Sequence, residues 1–357
     1  IRLLDEIGQA SQPSDMSFSV QADDGRIEYS GSSLNGLFAH RRNIVRPPFY
    51  RMIRDILRFN KTALPSVDHH DDEETLGSYL RKNGYGHEFV DHYLIPMAAA
   101  IWSAEPGSVL EMPVRFLVRF FANHGLLQIS DRPIWRVIKG GSREYVGKLV
   151  AGHRDRIRLN SPVQSIRRLD DRVEVHSATG GTECFDYVFV ACHSDQALGL
   201  LQDATPVERE VLGAIQYQSN EAILHTDASL MPKRRHAWAA WNYHIPRDSS
   251  EHVAVTYNMN ILQGLKANKQ YLVTLNNDRH IDPSKVIRTV QYEHPVYSRE
   301  SVIAQRRQAE INDDRTFFCG AYWRSGFHED GVVSALNALE HFEERLPDGQ
   351  LHLRRAS

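Results

Sequence analysis

The sequence predicts an α/β fold in which two domains are each assembled from several stretches of chain. Three observations predict it. Residues 34–130 carry apolar side chains at helical spacing, and short alternating or apolar runs on either side of them read as strands. Near residue 318 an apolar strand leads through glycines into a long helix. The 357 residues suffice for two domains, and 41% hydrophobic with 24% charged residues describes a folded chain rather than a disordered one.

Each element follows from local pattern. Leu3-Leu4-Asp5-Glu6-Ile7-Gly8 reads as the end of a helix already under way, and Ile1 is not a methionine, so an opening segment is expected to be missing. Ser17-Phe18-Ser19-Val20 and Arg26-Ile27-Glu28-Tyr29 alternate around Asp23-Asp24-Gly25, which predicts a hairpin. Apolar residues recur at three and four in Phe49-Tyr50-Met52-Ile53-Ile56-Leu57 and in Phe116-Leu117-Phe120-Phe121. Pro96, Pro106 and Pro113 are expected to cut this region into short helices. The run Asp68-His69-His70-Asp71-Asp72-Glu73-Glu74 reads as a loop whose acids favour a helix beginning near Thr75.

From about 134 onward the texture changes. Strands are predicted at 162–166 and 172–176, with a turn at Gly180-Gly181. Asp186-Tyr187-Val188-Phe189-Val190-Ala191-Cys192 is apolar throughout after its acid, which predicts a strand buried on both faces, and 195–201 follows as a helix. Further strand-like runs are 221–225, 237–241, 252–257 and 271–275, then 316–320, with a closing helix over 332–345.

Composition excludes several classes. A formal charge of −3 leaves no footprint for nucleic acid, and Arg41-Arg42 and Lys233-Arg234-Arg235 read as solvated faces. Cys184, Cys192 and Cys319 form no C-x-x-C pair and read as reduced thiols of a cytoplasmic protein. No stretch reaches the roughly 18 apolar residues of a spanning helix, and no metal site is expected.

The stretch Phe317-Phe318-Cys319-Gly320-Ala321-Tyr322-Trp323-Arg324-Ser325-Gly326-Phe327-His328-Glu329-Asp330-Gly331-Val332 carries the chemistry. Glycines let backbone approach a ligand, and a helix start offers unpaired N–H groups to a phosphate or to a flavin's carbonyl edge. On spacing alone, a glycine-built corner without a ligand explains it equally well.

This segment closely resembles the carboxyl-terminal flavin-binding motif of the FAD-dependent amine oxidase superfamily. More narrowly, the chain is similar to bacterial predicted NAD/FAD-binding oxidoreductases found beside cyclopropane-fatty-acid-synthase-like methyltransferases. Ser14-Asp15-Met16-Ser17-Phe18-Ser19, Phe38-Ala39-His40-Arg41-Arg42-Asn43 and Trp135-Arg136-Val137-Ile138-Lys139-Gly140-Gly141-Ser142 carry that resemblance as well. It implies FAD as cofactor and a Rossmann-like FAD/NAD(P)-binding domain, incomplete at its amino end, interleaved with an α+β substrate domain. The family's opening G-x-G-x-x-G turn and the acid about 20 residues beyond it are absent. Ala321 follows Gly320 where many relatives carry a carboxylate.

The resemblance assigns residues 1–33, 134–205 and 301–346 to the FAD domain, 34–133 and 206–300 to the substrate domain, and 347–357 to a tail. Cofactor contacts are expected from Gly140, Gly141, Val163, Cys192, Gly320, Gly326, Phe327, Glu329, Asp330, Gly331 and Val332. His328 is a candidate to orient or protonate flavin or substrate, with helix capping as the alternative. Tyr322 and Trp323 are candidates to line the substrate face, with core packing as the alternative. The expected reaction is dehydrogenation of a C–C or C–N bond by hydride transfer to flavin N5. A lipid or fatty-acyl substrate is expected, with a methyltransferase as partner and the helices between Phe89 and Leu127 walling a tunnel or resting on a membrane surface. The alternatives are an amine oxidase and a non-catalytic flavin-fold protein that binds lipid or the methyltransferase.

Overall fold

A computed structural model describes residues 2–67, 73–246, 254–277 and 280–346. Residues 68–72 of the predicted loop at 68–74, the start of the predicted 252–257 strand and the predicted tail at 347–357 lie outside them. Strands β1 (Ser11–Pro13), β2 (Phe18–Ala22), β3 (Glu28–Ser30) and β4 (Arg136–Ile138) come first in the chain. They are followed by β5 (Val163–Arg168), β6 (Val173–Ser177), β7 (Gly181–Phe185) and β8 (Val188–Val190). Then come β9 (Tyr217–His225), β10 (Trp241–Ile245), β11 (Ala254–Asn258), β12 (Leu272–Leu275), β13 (Val286–Pro295) and β14 (Thr316–Phe318). The chain divides into two compact units, Ile1–Ile157 with Gln218–His294, and Arg158–Tyr217 with Pro295–Ser357.

The first unit is built on a seven-stranded sheet of order β13-β9-β12-β11-β10-β2-β3. The predicted hairpin is present, with Val20 opposite Tyr29. Its strand β2 runs parallel to β10, Trp241 against Phe18 through Ile245 against Ala22. Residues 18–30 are therefore sheet partners of the 218–294 segment, and 134–157 group with them. Long-range strand pairing, which local pattern does not show, brings these segments together.

Helices make up the rest of this unit. In Pro47–Val67 the buried residues Phe49, Met52, Phe59, Ala63 and Val67 follow the helical repeat. Thr75 caps Leu76–Lys82 by accepting from the Ser78 amide. Pro106 opens one helix and Pro113 precedes another, as predicted. Pro96 does not cut. The chain passes through a π-helical turn at Val90–Leu94 straight into Ile95–Trp102. A proline cannot donate to the carbonyl four residues back, and here that carbonyl, on His92, accepts from the Tyr29 hydroxyl at 2.8 Å instead.

The predicted 237–241 strand is displaced. Asn242 takes up both the N–H and the C=O of Ala239, at 3.0 and 2.7 Å, so the chain cannot ladder there and β10 begins at Trp241. Strand β13 has no sequence-based expectation. It is an edge strand exposed along most of its length, so it lacks the apolar alternation that would mark it.

The second unit holds an antiparallel meander, β5-β6-β7, and a parallel pair, β14-β8. Val188, Phe189 and Val190 lie opposite Thr316, Phe317 and Phe318. Its core joins Ile166, Val173, Val190, Leu212, Ile215 and Phe318. Phe189 is 39% exposed, so β8 is not buried on both faces. Among the described residues the parallel sheet has only two strands, too few to be covered on each side.

Candidate functional site

In the second unit, the loop after β14 is held by polar side chains. The Cys319 amide still ladders onto Val190 O at 3.1 Å. One residue on, the Gly320 amide turns to the Ser334 hydroxyl at 2.9 Å, and that hydroxyl donates to Gly331 O at 2.8 Å. Ser334 thus ties the strand end to the first turns of the helix His328–Arg345. That helix begins four residues before the predicted Val332. Asp330 accounts for the difference, accepting from the Phe327 amide at 3.0 Å and so stabilising the earlier start. Arg324 sits 3.6 Å from the same carboxylate.

The glycines of the loop are required by the chain's own tyrosines. A Cβ on Gly320 would lie 2.4 Å from the Tyr322 ring. Gly326 has φ +90°, and a Cβ there would meet the Tyr297 hydroxyl at 2.6 Å. Tyr297 and Tyr322 are buried, and burial raises both phenols well above their ordinary range. Tyr322 and Trp323 are core residues, 4% and 3% exposed, with ring centroids 5.1 Å apart. Both are enclosed by the unit's apolar side chains. His328 and Glu329 are exposed at the helix start, while Gly331 and Val332 are half-buried in its first turns.

A cavity of about 630 Å³ opens beside β8 in the same unit. Its walls come from β5 and β6 (Val163, Ile166, Val175), from Val188 through Cys192, and from Gln196 and Leu200 on the helix Ser194–Leu200. The structure thus brings Val163 and Cys192, two expected cofactor contacts, into one cleft. Burial raises the Cys192 thiol, which keeps it protonated and unreactive. Just past Cys192 in the chain, the Ser194 amide donates to the Tyr217 hydroxyl at 2.9 Å, and the His193 ring stacks on Tyr217 at 4.4 Å. Burial pushes the Tyr217 phenol up to about 12. Sequence reasoning missed Tyr217, Tyr297 and Gln196, since nothing local distinguishes them from ordinary core or surface residues. Ser334 lies within the recognised motif and could have been read from its spacing to Gly320.

Gly140 and Gly141 lie in the first unit, in the turn after β4, with φ +86° and +92°. The Gly141 amide donates to Ile138 O at 3.0 Å, closing that turn.

The residues of the cleft fit the ring portion of a dinucleotide cofactor. Apolar side chains wall it, and Gln196 supplies both a donor and an acceptor for a heteroaromatic edge. Among the described residues no cationic side chain lines it, so anionic groups would rely on N–H donors such as those of a helix start.

Residues 1–253 match the family described as flavin containing amine oxidoreductase, and the chain belongs to that family. It is an FAD-dependent oxidoreductase. Similar solved structures include a putrescine oxidase mutant from a cofactor-binding redesign (TM-score 0.63, 12% identity, 96% of this chain and 85% of that one). A fatty acid isomerase from P. acnes that produces CLA is similar over 96% of this chain and 83% of its own, with TM-score 0.63 and 15% identity. Cyclohexylamine oxidase from Brevibacterium oxydans IH-35A is similar at TM-score 0.60 and 13% identity, over 96% and 84%. At these identities the likenesses establish the fold. The comparison with curated proteins returns no match. No helix among the described residues is long and apolar enough to cross a membrane.

Proposed function

We propose that this oxidoreductase dehydrogenates a lipid or fatty-acyl substrate rather than an amine. The observation that carries this reading is the state of the buried carboxylates. An ammonium group brought into a dry site needs an acid to pair with. Among the described residues every buried acid is already engaged. Glu28 pairs with Arg234, Glu88 with Arg51, and Glu208 with Arg168. Asp55 accepts from the Gly86 amide and faces Arg58, and Asp330 accepts from the Phe327 amide beside Arg324. Burial pushes Asp227 up, but the Asp282 and Ser229 amides and the Lys285 ammonium hold it well below the usual carboxylate range. A fatty-acyl chain carries no cationic group and asks for none of these acids.

FAD, when bound, supplies the hydride acceptor at its N5. Val163, Cys192 and Gln196 would hold its flat ring portion, and Gly320, Gly326, Phe327, Glu329, Asp330, Gly331 and Val332 would shape the helix start beside it. His328, exposed at that start, is the proposed group to orient or protonate a flavin or substrate atom. The apolar walls of the cleft exclude water from the ring they enclose. A methyltransferase acting on the same acyl chain is the proposed partner, on the strength of the resemblance alone.

Anaerobic titration of the flavin-loaded protein tests the substrate class. Bleaching of the oxidised-flavin band by a long-chain fatty acid, with none by putrescine or cyclohexylamine, is the expected result. Bleaching by the amines alone would overturn it.

A further inference from the structure

The first unit carries a cationic, apolar surface that the oxidation chemistry does not use. Between Leu34 and Val67 the chain has Arg41, Arg42, Arg46, Arg51, Arg54, Arg58 and Lys61 but one acid, Asp55, in a protein whose overall charge is −3. Asp55 is buried and faces Gly86 and Arg58. Among the described residues no acid pairs with Arg41, Arg42 or Arg46. Arg41 donates to Phe38 O and Arg46 to Arg26 O, which fixes the side chains without neutralising them.

Large apolar side chains stand exposed among these arginines. Leu34 is 76% and Val45 79% exposed, with Ile44, Tyr50 and Leu57 each close to half. The Tyr50 hydroxyl donates to Ile44 O at 2.8 Å, and the Tyr50 ring lies 6.4 Å from that of Phe38, so the loop and the helix Pro47–Val67 share one surface. Along that helix Tyr50, Arg54, Leu57 and Lys61 recur at helical spacing, opposite the buried face of Phe49, Met52 and Phe59. The helices between Phe89 and Leu127 offer no comparable surface. Phe89, Leu94, Leu117, Phe120 and Phe121 are all in the core.

We propose that residues 34–61 dock this protein on a bilayer surface rich in anionic phospholipid. Exposed aliphatic and tyrosyl groups insert at the level of the headgroups, and the arginines around them meet lipid phosphates. A nucleic acid would satisfy the arginines but leave Leu34 and Val45 in water, so the apolar residues decide for the lipid surface. The proposal is independent of which bond the enzyme oxidises, and its test reads binding without turnover.

Co-sedimentation of the full chain with vesicles is the test. The protein should pellet with vesicles of mixed phosphatidylcholine and phosphatidylglycerol, pellet poorly with phosphatidylcholine alone, and be released by salt. The triple variant Arg41→Gln, Arg42→Gln, Arg46→Gln should partition on the order of a hundredfold more weakly. Val45→Ser should weaken binding while leaving its salt dependence in place, and it carries the test should the triple variant not fold. Equal binding to neutral vesicles, no binding at all, undiminished binding of both variants, or preference for an RNA or DNA duplex over the vesicles would each overturn the proposal.

Discussion

The two units solve the same problem, a sheet with polar groups in its interior, by different means. In the first unit the seven-stranded sheet satisfies its buried polar side chains across its own strands. Asn242 accepts from Ser19 and donates to Thr256 O, while Thr274 bonds both Thr256 and His225. In the second unit the parallel pair is short, and side chains stand where a neighbouring strand would. The Phe318 amide donates to Asn312 Oδ1 at 2.6 Å, and Gln308 donates to Phe318 O at 2.9 Å. A sheet closed by strands draws its stability from many repeated bonds, and one closed by individual side chains depends on each of them. The second unit should therefore be the more easily broken by single changes, and the one that gains most from a bound ligand.

The largest effect is expected at Arg168, which links β5 to Asp203 at 3.2 Å and to the buried Glu208. Arg168→Met leaves the Glu208 carboxylate buried without its cation, at a cost of about 4 kcal/mol. The change falls on the second unit, so Trp323, its tryptophan, reports it, and the other four tryptophans belong to the first. Urea unfolding followed by fluorescence, with Trp323→Phe as the reference, separates the two. Simultaneous loss of both units on the same transition would break the comparison.

Next in size is Gly326→Ala. The added Cβ meets the Tyr297 hydroxyl and a backbone at φ +90°, for a combined cost of about 3 kcal/mol. Because Gly326 leads into the helix start proposed to shape the flavin site, the variant should also lose FAD on desalting. Full flavin retention would mean that the loop does not position the cofactor.

Much of this architecture was legible in the sequence, and what was not has physical causes. The hairpin at 17–29, the Thr75 cap and the strand-glycine-helix corner announce themselves through near-neighbour chemistry. The parallel pairing of β2 with β10 spans more than two hundred residues, and no local pattern encodes it. Pro96 was misread because its missing hydrogen bond is compensated by Tyr29, a residue far away in the chain. At the candidate site, Val163 and Cys192 were placed by resemblance and meet in one cleft. Tyr322 and Trp323 follow the same motif into the core, where aromatic content alone could not tell a pocket wall from packing.

A smaller effect, confined to the first unit, comes from acid. Burial holds the His225 imidazole below its ordinary 6.5, and His92 shifts the same way for the same reason. His225 Nδ1 accepts from the Asp227 amide, so the neutral ring is the form that fits. The unfolded chain takes up protons below pH 6.5 that the folded unit refuses, so stability falls as pH drops below 6.5. For His225 the slope is at most about 1.4 kcal/mol per pH unit, ending at its lower folded pKa. Unfolding midpoints at several pH values in the Trp323→Phe background should show that decline. An equal decline reported by Trp323 in the second unit would mean the buried histidines are not its source.

The smallest effect sharpens the comparison most, because it holds backbone geometry constant. Gly141 in the first unit has φ +92°, almost that of Gly326, but a Cβ there meets nothing within 4 Å. Gly141→Ala therefore incurs only the backbone strain of an L-residue at positive φ, about 1–2 kcal/mol. The gap between the two alanine variants measures what the Tyr297 hydroxyl adds at Gly326. Gly326→Ala combined with Tyr297→Phe removes that oxygen and should bring the cost down to the Gly141→Ala level. If the double variant stays as unstable as Gly326→Ala alone, the clash is not the cause. The vulnerability of the second unit would then lie in its backbone rather than in the side chains that stand in for strands.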